Sequence, residues 1–173
     1  MMNSSSAMHI RTDLIAAYKA GYGLLVAALA GITDAELDHC PAPTEWTVRE
    51  IVHHCADSEM TAAIRLRCLI AEESPTIVGY DQEEFVRRLH SGRPIAGSLL
   101  AVEGARASTA SLLDELTPDE WSRSGTHTES GRYSVDDWLR IYSAHLYDHA
   151  DQIARNRASA ASGSDARRSV SRS

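Results

Sequence analysis

A chain of 173 residues, 43% of them hydrophobic, is sized for one domain and can bury a core without disulfide staples. Its formal charge of −7, from 17 basic against 24 acidic residues, argues against a nucleic-acid partner, whose phosphates need a basic face. No apolar run approaches the ~18 residues of a membrane span, and Met1–Met8 lacks the apolar heart of a signal peptide, so a cytoplasmic protein without a membrane partner is expected. Cys40, Cys55 and Cys68 are odd in number and include no CxxC, which fits a reducing compartment and points away from a disulfide framework or a thiolate zinc site.

The chain opens with a polar, serine-rich stretch, and residues 1–10 are expected to be flexible. From Asp13 to Ala30 the spacing of Leu14, Ala17, Tyr18, Leu24, Leu25, Ala28 and Leu29 predicts a first amphipathic helix, stopped by Gly31. Thr33 with Glu36 three residues on has the spacing of a capping box and starts a short helix, which Cys40-Pro41-Ala42-Pro43 breaks. Thr47 with Glu50 repeats that signal and opens a second long helix, ended by Ser74-Pro75. Residues 76–93 read as a connection with a short amphipathic piece around Phe85, Val86 and Leu89.

Pro94 sits at the start of a third long helix carrying Leu99, Leu100, Val102, Leu112, Leu113 and Leu116. Thr117-Pro118-Asp119-Glu120 is a further cap, and the Gly, Ser and Thr of 122–132 read as a polar loop. Ser134, with Asp137 at the third helical position, caps a fourth long helix running to about Arg157. The Ser, Ala, Gly and Arg tail, 158–173, has little to bury and is expected to be disordered. The order long helix, capped turn, long helix occurs twice, so residues 11–157 are expected to form an all-α four-helix bundle.

His145 and His149 lie four apart, which puts both rings on one helix face about a turn apart, a spacing from which two imidazoles can chelate one ion. They share a stripe with Trp138, Tyr142 and Gln152, beside the apolar seam of Val135, Leu139, Leu146 and Ile153. A working metal centre commonly needs a third protein donor. His53 and His54 on the second helix both qualify. Each lies off the core direction marked by Val48, Ile51, Val52, Cys55 and Ala62, on opposite sides of it, so spacing leaves the choice even. Asp57, Asp148 and Asp151 could orient ligand imidazoles. Glu59 could act as a general base, although its place on the helix favours a structural role; Arg65 and Arg67 could meet an anionic substrate.

Three segments carry a family resemblance. Trp46-Thr47-Val48-Arg49-Glu50-Ile51-Val52-His53-His54 is similar to the second-helix signature of the DinB/YfiT-like superfamily, and His145-Leu146-Tyr147-Asp148-His149-Ala150-Asp151-Gln152-Ile153 resembles its second motif. Ser74-Pro75-Thr76-Ile77 with Tyr80 resembles the YfiT branch, where Glu59 departs from the histidine usual at that place. The resemblance implies a four-helix bundle of the DinB/YfiT-like type with a divalent metal, zinc or nickel, on His54, His145 and His149. It further implies a thiol S-transferase of the bacillithiol or mycothiol kind, acting in detoxification on a small-molecule thiol and an electrophile. A metal-dependent hydrolase, or a metal-binding stress protein without catalysis, is the alternative, and homodimers are expected by the same analogy.

Overall fold

Hydroxyl side chains decide where most helices of this chain begin. At Thr33, Thr47 and Thr117 the side chain accepts from the backbone N–H three residues on, while Glu36, Glu50 and Glu120 reach back to the cap's own N–H. Ser134 does the same with Asp137: the Asp137 N–H donates to its Oγ at 3.1 Å, and the Ser134 N–H donates to Oδ2 at 3.0 Å. All four were legible as caps.

The computed structural model describes residues 4–170. In chain order it contains α1 (Ser4–Ala28), α2 (Asp34–Leu37), α3 (Val48–Ala71), β1 (Thr76–Ile77), α4 (Gln82–Arg88), α5 (Ala96–Glu115), α6 (Pro118–Trp121), β2 (Ser124–His127), β3 (Gly131–Ser134) and α7 (Val135–Val170). The long helices α1, α3, α5 and α7 form a four-helix bundle. Both α1 and α3 pack against α5 and α7, so α1 stands diagonally across from α3. The buried seam of α3 is Val48, Ile51, Val52, Cys55 and Ala62, and that of α7 is Val135, Leu139, Leu146 and Ile153, as the periodicity predicts. Leu100, expected on the apolar stripe of the third helix, is instead 68% exposed.

Three expectations are corrected. Helix α1 starts at Ser4, so the stretch expected to be flexible is helical over residues 4–10, with no proline or glycine to stop it. Helix α7 runs on to Val170 through the tail expected to be disordered; its alanines are strong helix formers, and no proline follows Pro118. The remaining ends of both segments, residues 1–3 and 171–173, lie outside the described residues. The third correction is a small sheet, ordered β1-β2-β3, where only loop was expected. Strand β1 pairs in parallel with β2 (Thr76 opposite Thr126), and β2 pairs antiparallel with β3 from Ser124–Ser134 to His127–Gly131. Gly125 is required there, because a Cβ would meet the Pro75 backbone and ring. The sheet ties the segment leaving α3 to the hairpin that enters α7, and those two helices carry the histidines.

The core falls into two clusters. One gathers around Tyr18, Leu66, Leu69, Trp138 and Leu139; the other around Leu25, Val48, Ile51, Val102, Leu146 and Ile153. Among the described residues no helix is long and apolar enough to cross a membrane.

Candidate metal centre

Helices α3 and α7 lie side by side, and three imidazoles meet at their contact. One ring nitrogen from each of His54, His145 and His149 lies within 4.8 Å of the others. Nε2 of His54 and Nε2 of His145 are 3.3 Å apart. Two nitrogens bound at ~2.0–2.1 Å to one tetrahedral ion stand roughly that far apart, so this pair fits a shared ion. The rings of His54 and His149 meet edge-on with centroids 4.8 Å apart, and those of His145 and His149 with centroids 4.6 Å apart.

The rings are held from behind. His149 Nδ1 is 2.9 Å from Gln152 Oε1, one turn further along α7. The amide oxygen accepts the Nδ1 proton and leaves Nε2 as the free donor. Nδ1 of His145 faces Glu59 Oε1 at 3.5 Å and has no nearer partner. The indole of Trp46 lies against His54 with centroids 4.8 Å apart, its own Nε1–H donating to Glu83 Oε2 at 3.0 Å. Burial, followed by the charges of His149 and His145, pulls the His54 pKa down to about 3. Burial and the charge of His145 pull His149 down to about 4. Both are therefore neutral at pH 7, the state in which an imidazole can bind a metal.

Outward from the rings lies a cleft of about 470 Å³ lined by Thr44, Glu45, Trp46, Gln82, Glu83, Asp148 and Gln152. Three of its lining residues are carboxylates, and neither lysine nor arginine is among them.

Of the paired histidines, the structure brings His54 to the α7 pair. His53 points the other way, buried between Ser98 Oγ at 2.7 Å and the Arg93 carbonyl at 3.0 Å. Glu59 has no exposure and does not line the cleft, so it cannot meet water there as a general base. It is fixed instead by Arg106 at 2.8 Å. Burial raises its pKa, but the His145 ring and the Arg106 guanidinium outweigh that and hold it below the usual carboxylate range. Arg65 does not face the cleft either. Its guanidinium donates to the Val78 carbonyl at 2.7 Å and the Tyr142 hydroxyl at 3.2 Å. Arg67 donates to Ser108 Oγ at 2.8 Å and to the Ala63 carbonyl of its own helix. The groups backing the ligand rings are Gln152 and Glu59, not Asp57, Asp148 or Asp151.

The fold and the cluster together define an all-α bundle with three convergent imidazoles open to solvent on one side. The chain belongs to the DinB superfamily, whose family model matches residues 17–153. It is 36% identical over 130 residues to a proposed metal-dependent hydrolase of Oceanobacillus iheyensis, covering 75% of this chain and 76% of that protein. A proposed metal-dependent hydrolase of Bacillus mycoides is 30% identical over 129 residues, covering 75% of each. Among solved structures it is similar to YfiT from Bacillus subtilis, described as a probable metal-dependent hydrolase with an unusual four-helix bundle topology. That match has a TM-score of 0.80 at 26% identity and covers 90% of this chain and 88% of YfiT.

Proposed function

We propose that this chain is a divalent-metal-dependent enzyme that holds one ion through His54, His145 and His149 and hydrolyses an ester or amide. The observation that carries the proposal is the 3.3 Å approach of two imidazole Nε2 atoms, with a third imidazole beside them, at the floor of an open cleft. Three protein donors with an open position characterise working zinc-type centres, whereas structural ones close with four. Imidazole donors suit zinc and nickel alike. When bound, such an ion activates water near neutral pH and polarises a carbonyl.

The chain's own residues supply the rest. Gln152 keeps the His149 proton on Nδ1, and Trp46 covers one side of His54. Asp148, Glu83 and Glu45 line the cleft and can accept a proton from water or pass one to a leaving group. With neither lysine nor arginine among the lining residues, the cleft offers an anionic substrate no permanent cation besides a bound ion. The hydrolase descriptions of the relatives support the same reading.

Transfer of a low-molecular-weight thiol to an electrophile is the second reading. The cleft volume accommodates it, since about 470 Å³ falls within the ~300–1,000 Å³ of small-molecule sites.

The test is metal analysis of tag-free protein beside a His149→Ala variant, followed by turnover assays with ester, amide and thiol-plus-electrophile substrates. Close to one equivalent of zinc or nickel, lost in the variant, with metal-dependent ester or amide cleavage, is expected. Metal-dependent turnover with thiol alone would replace hydrolysis by transfer. A wild-type protein that takes up neither metal would end the enzymatic reading.

A further inference from the structure

A carboxylate and a guanidinium lie in the middle of this bundle, where apolar side chains would serve packing as well. Glu59 on α3 is 0% exposed and Arg106 on α5 is 3% exposed. Their contact is 2.8 Å, between Oε1 and Nη2. Ion pairs this deeply buried are a poor source of stability, because desolvating both charges offsets their attraction, so their retention invites another explanation.

What the pair touches supplies one. Arg106 Nη2 also donates to the Tyr142 carbonyl at 2.7 Å, three residues before His145 on α7. Nη1 donates to the Tyr18 carbonyl of α1, and the guanidinium lies over the Tyr18 ring with its carbon 4.1 Å from the centroid. The Tyr18 hydroxyl donates to the second oxygen of Glu59 at 3.4 Å. Gly21 leaves the room this needs, since a Cβ there would run into the guanidinium. The carboxylate is thus held from two sides, and its Oε1 faces the otherwise unpartnered Nδ1 of His145 at 3.5 Å.

We propose that Glu59, fastened by Arg106 and Tyr18, is a positioning residue for the metal centre. It accepts the Nδ1 proton of His145 and so leaves Nε2 as the lone pair turned toward Nε2 of His54. This rests on the reading of the three histidines as metal donors. Partners of this kind behind a ligand imidazole typically change metal affinity ~10–100-fold when removed. The arrangement spans all four long helices, so the orientation of one ligand ring is set by the assembled core.

The test measures zinc affinity by chelator competition for the wild type, Glu59→Leu and the double variant Glu59→Leu/Arg106→Met. Imidazole ¹⁵N shifts of His145 are recorded in parallel on the metal-free proteins. The double variant removes both charges and so avoids an unpaired buried arginine if the single variant fails to fold. Expected are a wild-type His145 protonated at Nδ1, loss of that single tautomer in both variants, and zinc binding weakened ~10–100-fold in both. A folded double variant with wild-type zinc affinity and the wild-type His145 tautomer would show that the pair only fills the core, and would overturn the proposal. If the wild type binds neither zinc nor nickel, the metal reading itself fails, and the tautomer data then show separately whether Glu59 holds His145.

Discussion

Without metal, the bundle should lose stability steeply as the solution turns mildly acidic. His54 and His149 titrate near pH 3 and pH 4 in the folded chain, against an ordinary value of 6.5. The unfolded chain therefore binds more protons below pH 6.5, and stability falls with pH until the folded-state values are reached. Between pH 7 and pH 5 each of these histidines removes about 2 kcal/mol, so the two together remove about 4 kcal/mol. That is a large share of the ~5–15 kcal/mol by which domains are usually stable. His53, also lowered by burial, acts in the same direction. Urea denaturation of chelator-treated protein at both pH values measures the loss. A His54→Gln/His149→Gln variant should keep only the smaller slope left by the other groups. Equal stability at pH 5 and pH 7 in the wild type, or an undiminished slope in the variant, would refute the argument that these rings are buried neutral.

The two adjacent histidines of α3 should separate cleanly. His53→Ala leaves Ser98 and the Arg93 carbonyl without their partner and should cost about 1–3 kcal/mol in denaturant titration, while metal content stays at the wild-type level. Ser134→Ala removes the cap of α7 and should cost about 1 kcal/mol, read as a lower melting temperature, with the metal site intact.

The helices were legible because their signals are local. A threonine with glutamate three residues on marks a start wherever it falls, and Val48, Ile51, Val52 and Cys55 mark one face without reference to the rest of the chain. The sheet was not legible for the converse reason. Its strands have two to four residues each, are mostly exposed or half-buried, and are rich in Ser, Gly and Thr, so no alternation could show. The pairing depends on Pro75, whose carbonyl accepts from Thr126 at 2.9 Å across fifty residues of sequence.

The centre was legible in part. The α7 pair follows from spacing, but the choice of His54 over His53 depends on which side of α3 faces α7, and one helix's periodicity is silent about that. The place of Glu59 on α3 favours a structural role, since five residues on from His54 it leaves that ring's face. Its partner is a ring on the neighbouring helix that turns back toward it. Arg106 was missed although a signal existed. It shares a stripe with Val102, Thr109 and Leu113, all buried, and a charge in register with a core stripe asks for a buried partner.

The donors are divided unevenly between the two halves of the chain. His54 comes from the first and waits across 91 residues for His145 of the second. An emerging chain therefore assembles the three-imidazole cluster only once α7 has been synthesised and docked. The isolated second half would bring only the α7 pair of that cluster, His145 and His149. An ion held by all three rings would therefore bind after assembly. Such an ion would stabilise the assembled form by mass action, adding about 2.7 kcal/mol at a free ion concentration a hundredfold above the dissociation constant.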